Sequence, residues 1–398
     1  MRNGLLIKNS FFNKKKNKIE NLKKIDLIIK SILSKTDNNI FHLLSKKFSL
    51  NFKTSNLKKF NKFKSVVVIG MGGSILGAKA IFSFLEDRIK KDFNFVDDLD
   101  PMILKKIKKI NKKKVLFIII SKSGNTLETI TNINLLAFSN FNEKNTIIIT
   151  EAKNNALSNF AKKKKILIIK HRTYVGGRYS VLSEVGMVPA YFMGLDLKKF
   201  RKNLLKNIDG NSKKILSESV IKLAKNYKSK KINTIIFFNY SSKLNDLALW
   251  CQQLIAESLG KKNKGILPIL SKAPKDHHSL LQLYLDGPKD KIFYVLSGKN
   301  SEDKKIKKNI FNDSFKYLTN KDMSKIIESQ KNAFVQILKR KKIPHKEIRI
   351  GYFNEETLGE IFSYFILETA IIANLINVNP FNQPAVEQVK ILTKRNLS

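Results

Sequence analysis

The sequence predicts an α/β fold of two units, each a mainly parallel sheet flanked by helices. Three observations carry this. Short apolar runs such as Ser65 to Ile69 and Val115 to Ile120 alternate with segments of helical spacing, the pattern of strands buried on both faces of a parallel sheet. Glycine-rich or polar turns follow these runs directly, at Gly70 to Ser74 and Ser121 to Thr126, which is where open parallel sheets take ligands. The pattern restarts at Thr234 to Phe238 after a Lys-rich stretch with helical spacing, so a second α/β unit is expected.

Taken in order, residues 1–64 are rich in Lys, Asn and Leu, with Leu22, Ile25, Ile28 and Ile32 at helical spacing; they read as a helical lead-in without chemistry. The strand Ser65 to Ile69 then runs through Gly70 to Ser74 into a helix marked by Ile75, Leu76, Ala80, Ile81 and Phe84. The next strand delivers Ser121 to Thr126, and the helix Leu127 to Phe138 follows. Thr146 to Thr150 and Ile166 to Ile169 add two apolar runs, and Gly176-Gly177-Arg178-Tyr179-Ser180 precedes a hydrophobic segment reaching Phe192. Residues 196–231 form the Lys-rich connector. In the second unit the spacing predicts a helix over 247–259, another from Leu280 to Leu285, strands at 291–296 and 343–350, and helices over 323–338 and 355–376. A short helix ends the tail, with Pro384 in its first turn.

Several turns carry candidate chemistry. Ser121 to Thr126 brings three hydroxyls, an ammonium and a Gly to a strand-to-helix turn, where unpaired N–H groups and the helix dipole attract anions. The alternative is an ordinary capped start with Thr126 as N-cap. Ser74 stands at a second such turn. Two glycines before Arg178 let backbone and guanidinium approach one anionic atom together, or else make a surface turn. Glu257 lies on the apolar stripe of its helix just before Gly260; burial there would raise its pKa toward that of a general base, unless it pairs with Lys261 or Lys262. His277 and His278 open a helix and suit proton transfer or capping better than metal, because adjacent residues rarely point at one ion.

Composition narrows the class. The chain has 398 residues, 42% of them hydrophobic, enough for two cores. The formal net charge of +44 invites a nucleic-acid or anionic-membrane reading, yet Lys is spread along the chain and no nucleic-acid module or basic block appears. Cys251 is the single cysteine, which excludes an intrachain disulfide and a cysteine metal site. The first residues contain no apolar segment of signal-peptide length, and the greasiest stretch, 361–376, carries Glu368 in its middle, as a core helix does. A soluble cytoplasmic protein is expected, with no nucleic-acid or membrane partner.

Six motifs stand in order: Gly70 to Gly77 (GMGGSILG), Ser121 to Thr129 (SKSGNTLET), Gly176 to Ser180 (GGRYS), Gln253 to Lys261 (QLIAESLGK), His278 to Leu283 (HSLLQL) and Phe381 to Lys390 (FNQPAVEQVK). Together they resemble the glucose-6-phosphate isomerase family, which is built from two sugar-isomerase α/β domains. The resemblance implies a helical segment 1–64, domains at 65–205 and 206–376, and a tail 377–398 carrying site residues. It also implies reversible isomerisation of D-glucose 6-phosphate and D-fructose 6-phosphate through ring opening and an enediolate, a step of glycolysis and gluconeogenesis. Ser74, Ser121, Lys122, Ser123 and Thr126 match phosphate-holding positions and Gly73 a substrate-binding one. Glu257 matches the base, Arg178 with the amide of Gly177 the enediolate stabiliser, His278 and Lys390 the ring-opening pair, and Gln383 a substrate contact. A homodimer sharing its sites through the histidine is implied, with no cofactor and no metal. The chain departs from the family pattern at Asn382, Ala385, Val389 and Lys275-Asp276-His277. Gln383 stands where a bifunctional phosphoglucose and phosphomannose isomerase has Thr, and a non-catalytic sugar-phosphate regulator would have lost Glu257, Arg178 or His278.

Overall fold

The computed structural model describes residues 4–11, 19–34, 39–111, 114–137, 140–298, 303–311 and 313–398. Runs rich in Val, Ile and Phe become strands because stiff, branched side chains suit a pleated surface covered on both sides. The strands are β1 (Leu5–Ser10), β2 (Ser65–Ile69), β3 (Asp92–Val96), β4 (Val115–Ile120), β5 (Thr146–Thr150), β6 (Leu167–Lys170), β7 (Thr234–Asn239), β8 (Leu267–Lys272), β9 (Lys291–Gly298) and β10 (His345–Ile350). Helix α1 (Ile19–Ser34) and the short α2 (Thr54–Leu57) precede the first sheet. That sheet interleaves with α3 (Leu76–Leu85), α4 (Pro101–Lys108), α5 (Leu127–Leu135), α6 (Ala156–Lys163) and α7 (Glu184–Phe192). The long α8 (Gly210–Ser229) leads to the second unit, which holds α9 (Asn245–Leu259), α10 (Leu281–Asp286), α11 (Met323–Arg340) and α12 (Glu355–Leu375), and α13 (Ala385–Leu397) closes the chain.

The first sheet has the order β3-β2-β4-β5-β6 and is parallel throughout. Every residue of β2, β4 and β5 is buried, as expected of strands covered by helices on both faces. From β2 the chain goes to β3 on one side and then to β4 on the other, so the strand order reverses between β2 and β4. The turns 70–75 and 121–126 leave the carboxyl ends of those two strands, at this switch point.

The second sheet has the order β1-β10-β9-β7-β8. Strands β7 to β10 are parallel, while β1 runs antiparallel to β10 with Leu5 opposite Ile350 and Ser10 opposite His345. This corrects the helical reading of 1–64: α1 is present, but residues 5–10 are an edge strand of the distant sheet. Leu5 and Ile7 face inward and Leu6 and Lys8 outward, and the partner strand lies at the far end of the chain. Strands β3 and β8 and helix α4 were not expected from the sequence. The helix predicted over 127–138 ends at Leu135, and Phe138 falls outside the described residues.

Helix α12 is long and apolar enough to cross a membrane by composition, but 89% of its most apolar window is buried inside the protein. Glu368, which looked out of place in that run, is a paired core charge. It accepts hydrogen bonds from Lys346, from Tyr364 at 2.8 Å, from Ser219 at 2.8 Å and from Tyr294 at 3.2 Å. Lys346 is fully buried, and desolvation lowers its pKa while Glu368 opposes the shift. Ser219 ties α8 to α12, so the Lys-rich connector is a packed element of the second unit.

Candidate active site

The Ser121–Thr126 turn is built from its own side chains. Ser121, buried at the end of β4, places its hydroxyl 2.8 Å from that of Thr126 and accepts the Gly124 N–H at 3.1 Å. Gly124 has φ +70°, and a Cβ there would fall 1.9 Å from Asn155 Oδ1, so only glycine fits. Thr126 occupies the N-cap position of α5 but its side chain makes no cap hydrogen bond, leaving the first N–H groups of that helix uncapped by it. Lys122 donates to the Thr173 carbonyl at 2.8 Å and stands 3.7 Å from Glu151. Desolvation lowers its pKa, opposed by Glu151. Ser123 is exposed and accepts the Asn125 N–H at 3.2 Å.

The neighbouring turn 70–75 is glycine-rich for reasons of space. A Cβ on Gly73 would lie 2.2 Å from the Gly177 carbonyl carbon and 2.4 Å from the Arg178 nitrogen. The two Gly-Gly pairs therefore pack backbone to backbone, which brings Gly177 and Arg178 to the switch point. Gly72, with φ +51°, lies against Gln253 on α9. Ser74 ends this turn, half-buried.

Arg178 is the hub. It is only 2% exposed, and every arm of its guanidinium is engaged. Nε donates to Ser258 Oγ at 2.9 Å, Nη1 to Glu257 Oε2 at 3.0 Å and to Gln383 Oε1 at 2.6 Å, and Nη2 to the carbonyls of Pro380 and, at 3.2 Å, Asn382. One planar fork thus joins the 176–180 turn, the end of α9 and the segment before α13. Tyr179 supports it through a 2.8 Å bond with Ser258 Oγ, and burial pushes its phenol pKa up.

Glu257 keeps 30% side-chain exposure, so it is less buried than its place on the apolar stripe suggested. Its partners are Arg178 and Gln253, whose amide donates at 3.0 Å, not Lys261 or Lys262. Glu257 opens onto a cavity of 720 Å³ also lined by Asn379, Asn382 and Gln383. Lys261 borders the same cavity and bonds the Asn379 carbonyl at 2.7 Å. Desolvation, with repulsion from Arg178, brings its pKa down to about 8 against the pull of Glu257.

Arg178, Glu257, Gly177 and Gln383 are therefore brought together, with Gly73 packed against them. His278 and Lys390 are not. His278 is exposed and lines a different cavity with Ser241, Lys272 and Lys275. Lys390 lies on α13, exposed, and pairs with Glu387 at 2.6 Å. Gln253, Ser258, Tyr179 and Lys261 have contacts that the sequence reading did not assign. Gln253 had a usable signal, since it precedes Glu257 by one helical turn on the same face.

Comparison with known proteins gives the family and the fold. The family model described as phosphoglucose isomerase matches residues 32–398. The chain belongs to the phosphoglucose isomerase family. Glucose-6-phosphate isomerase of Methanocaldococcus jannaschii is 34% identical over 390 residues, covering 94% of each chain. That of Mycoplasmopsis synoviae is 35% identical over 354 residues, covering 83% of this chain and 81% of the relative. The fold matches the crystal structure of a glucose-6-phosphate isomerase from Chlamydia trachomatis with a TM-score of 0.80 at 17% identity, over 99% of this chain and 88% of that one. The two α/β sheets are the phosphoglucose isomerase fold as this sequence builds it.

Proposed function

We propose that this chain interconverts D-glucose 6-phosphate and D-fructose 6-phosphate by moving a proton between the first two carbons of the open sugar. The observation that carries the reading is the convergence of Glu257 and Gln383 on one buried guanidinium, 3.0 and 2.6 Å away, at the edge of a 720 Å³ cavity. Abstracting a proton beside a carbonyl needs one base and a fixed positive partner for the enediolate. Glu257 is the base, held in place by Gln253. Arg178 and the Gly177 N–H receive the developing negative oxygen. Ser74, Ser121, Lys122, Ser123 and Thr126, at the switch point of the first sheet, hold the phosphate, which positions carbons remote from it. Gln383 contacts the sugar.

The ring-opening pair is incomplete within one copy, and this supports a homodimer in which His278 serves the site of a second copy. A coupled assay started with fructose 6-phosphate tests the activity; absence of glucose 6-phosphate overturns it. Mixing Glu257→Gln and His278→Ala chains tests the sharing: mixed dimers contain one site with both native residues and recover part of the turnover, whereas no recovery assigns His278 to its own subunit's site.

A further inference from the structure

Strands β7 to β10 of the second sheet repeat the connectivity of β2 to β5 in the first. From β7 the chain goes to β8 on one side and then to β9 on the other, as it goes from β2 to β3 and β4. Its switch point lies at the carboxyl ends of β7 and β9, where sheets of this kind take ligands. A cavity of 320 Å³ opens there, bordered by Tyr240 after β7, Ser297 at the end of β9, Arg349 near the end of β10, and Glu328 and Lys331 on α11. None of its lining residues borders the cavity that holds Glu257.

Lys331 singles this cavity out. Three Lys or Arg residues are less than a tenth exposed among the described residues: Arg178, Lys346 and Lys331, the last at 7%. Arg178 is paired with Glu257 and Lys346 with Glu368, while Lys331 has no hydrogen bond and no ion pair among the described residues. Glu347 and Glu328 act on it only at longer range, holding its pKa up against the stronger lowering by desolvation. Glu328 is itself turned to Arg349 at 3.8 Å. The start of α11 is not the attraction, because Asp303 already accepts the Ser324 N–H at 3.0 Å. Most of the Lys331 side chain is packed away, yet its ammonium has no partner among the described residues and borders a space of ligand size.

We infer that this cavity binds a small hydroxylated phosphate monoester, with Lys331 and Arg349 on the phosphate and Ser297 and Glu328 facing the hydroxyls. The site is separate from the catalytic one and makes the second unit a sensor of phosphorylated metabolites. Calorimetric titration of the full chain, at fixed chloride, with fructose 6-phosphate and separately with inorganic phosphate tests it. Two equivalents of fructose 6-phosphate per chain are expected. Lys331→Met loses one and Thr126→Val weakens the other, so that failure at the first switch point is distinguishable from failure at the second. Should Lys331→Met fold poorly, Arg349→Gln weakens the same equivalent by about tenfold, the loss of one charge-assisted hydrogen bond. A single equivalent in the unaltered chain, retention of both in the Lys331 and Arg349 variants, or equal affinity for inorganic phosphate and fructose 6-phosphate at this site overturns the inference.

Discussion

At the switch point of the first sheet the chain supplies Gly72, Gly73 and a hydroxyl-rich turn, so backbones approach closely and Arg178 is drawn in against them. At the equivalent point of the second sheet it supplies Tyr240, Ser297 and a buried lysine instead. The order of the first four strands is the same in both, and only the fifth position differs. The difference lies in residues that follow the strands, and it teaches that connectivity fixes where a site forms while the turn residues fix its chemistry. Charge is handled differently too. The first unit's buried cation is shared among Glu257, Gln383, Ser258 and the carbonyls of the tail, whereas Lys346 and Glu368 in the second neutralise each other inside the core.

The largest effect belongs to the Arg178 hub, where α9 of the second unit meets the first. Glu257→Gln keeps the shape and the contact with Arg178 but cannot take a proton, so kcat falls by roughly 10²- to 10⁴-fold with little change in KM. Steady-state kinetics with fructose 6-phosphate measures it, and near-native turnover would move the base elsewhere. The core of the second unit answers with a stability effect. Lys346→Met strands the Glu368 carboxylate in the core and costs about 3–5 kcal/mol, while pairing it with Glu368→Gln recovers much of the loss. Denaturant unfolding of the single and double variants decides this; strictly additive losses would mean that the pair is not coupled. Next in size is Arg178→Lys, which keeps the charge but cannot serve Ser258, Glu257, Gln383 and the tail carbonyls together. A fall in kcat of about 10²- to 10³-fold is expected, with faster amide exchange in residues 381–383. Unchanged exchange would show that the tail is held without Arg178.

Much of this architecture was legible because local pattern and tertiary fate agree. Strands β2, β4 and β5 are unbroken apolar runs, and their burial on both faces is what such runs require. The edges were illegible for the converse reason. Strand β3 has only Phe93, Phe95 and Val96 as apolar residues, β8 contains Pro268, and β1 finds its partner at residues 345–350. Within the site, residue types pointed to Glu257 and Arg178, but nothing local showed that Arg178 would fasten Gln383 across 205 positions. Glu257 also retains more exposure than helical periodicity gave it, because the apolar stripe of α9 ends at the cavity and not under a packed neighbour.

The smallest expected effect compares one histidine from each sheet. His171 follows β6, is 4% exposed and shares a 2.9 Å hydrogen bond between Nδ1 and the Arg172 carbonyl; burial brings its pKa from 6.5 to about 4. His345 begins β10, is fully buried, and is also shifted downward by desolvation. As pH drops below 6.5 the unfolded chain takes up protons that the folded chain refuses until lower pH, so stability falls as pH falls across that window. For His171 the window runs from 6.5 to about 4, and the contribution is at most about 3 kcal/mol. His171→Gln removes that part of the acid-side slope and leaves the part due to His345. Because His171 lies close enough to Lys122 to be depressed further by its charge, phosphate bound at the first switch point screens that repulsion and raises the His171 pKa. Bound phosphate therefore shallows the slope in the unaltered chain and has no such effect in His171→Gln, which urea unfolding at a series of pH values, with and without phosphate, will resolve.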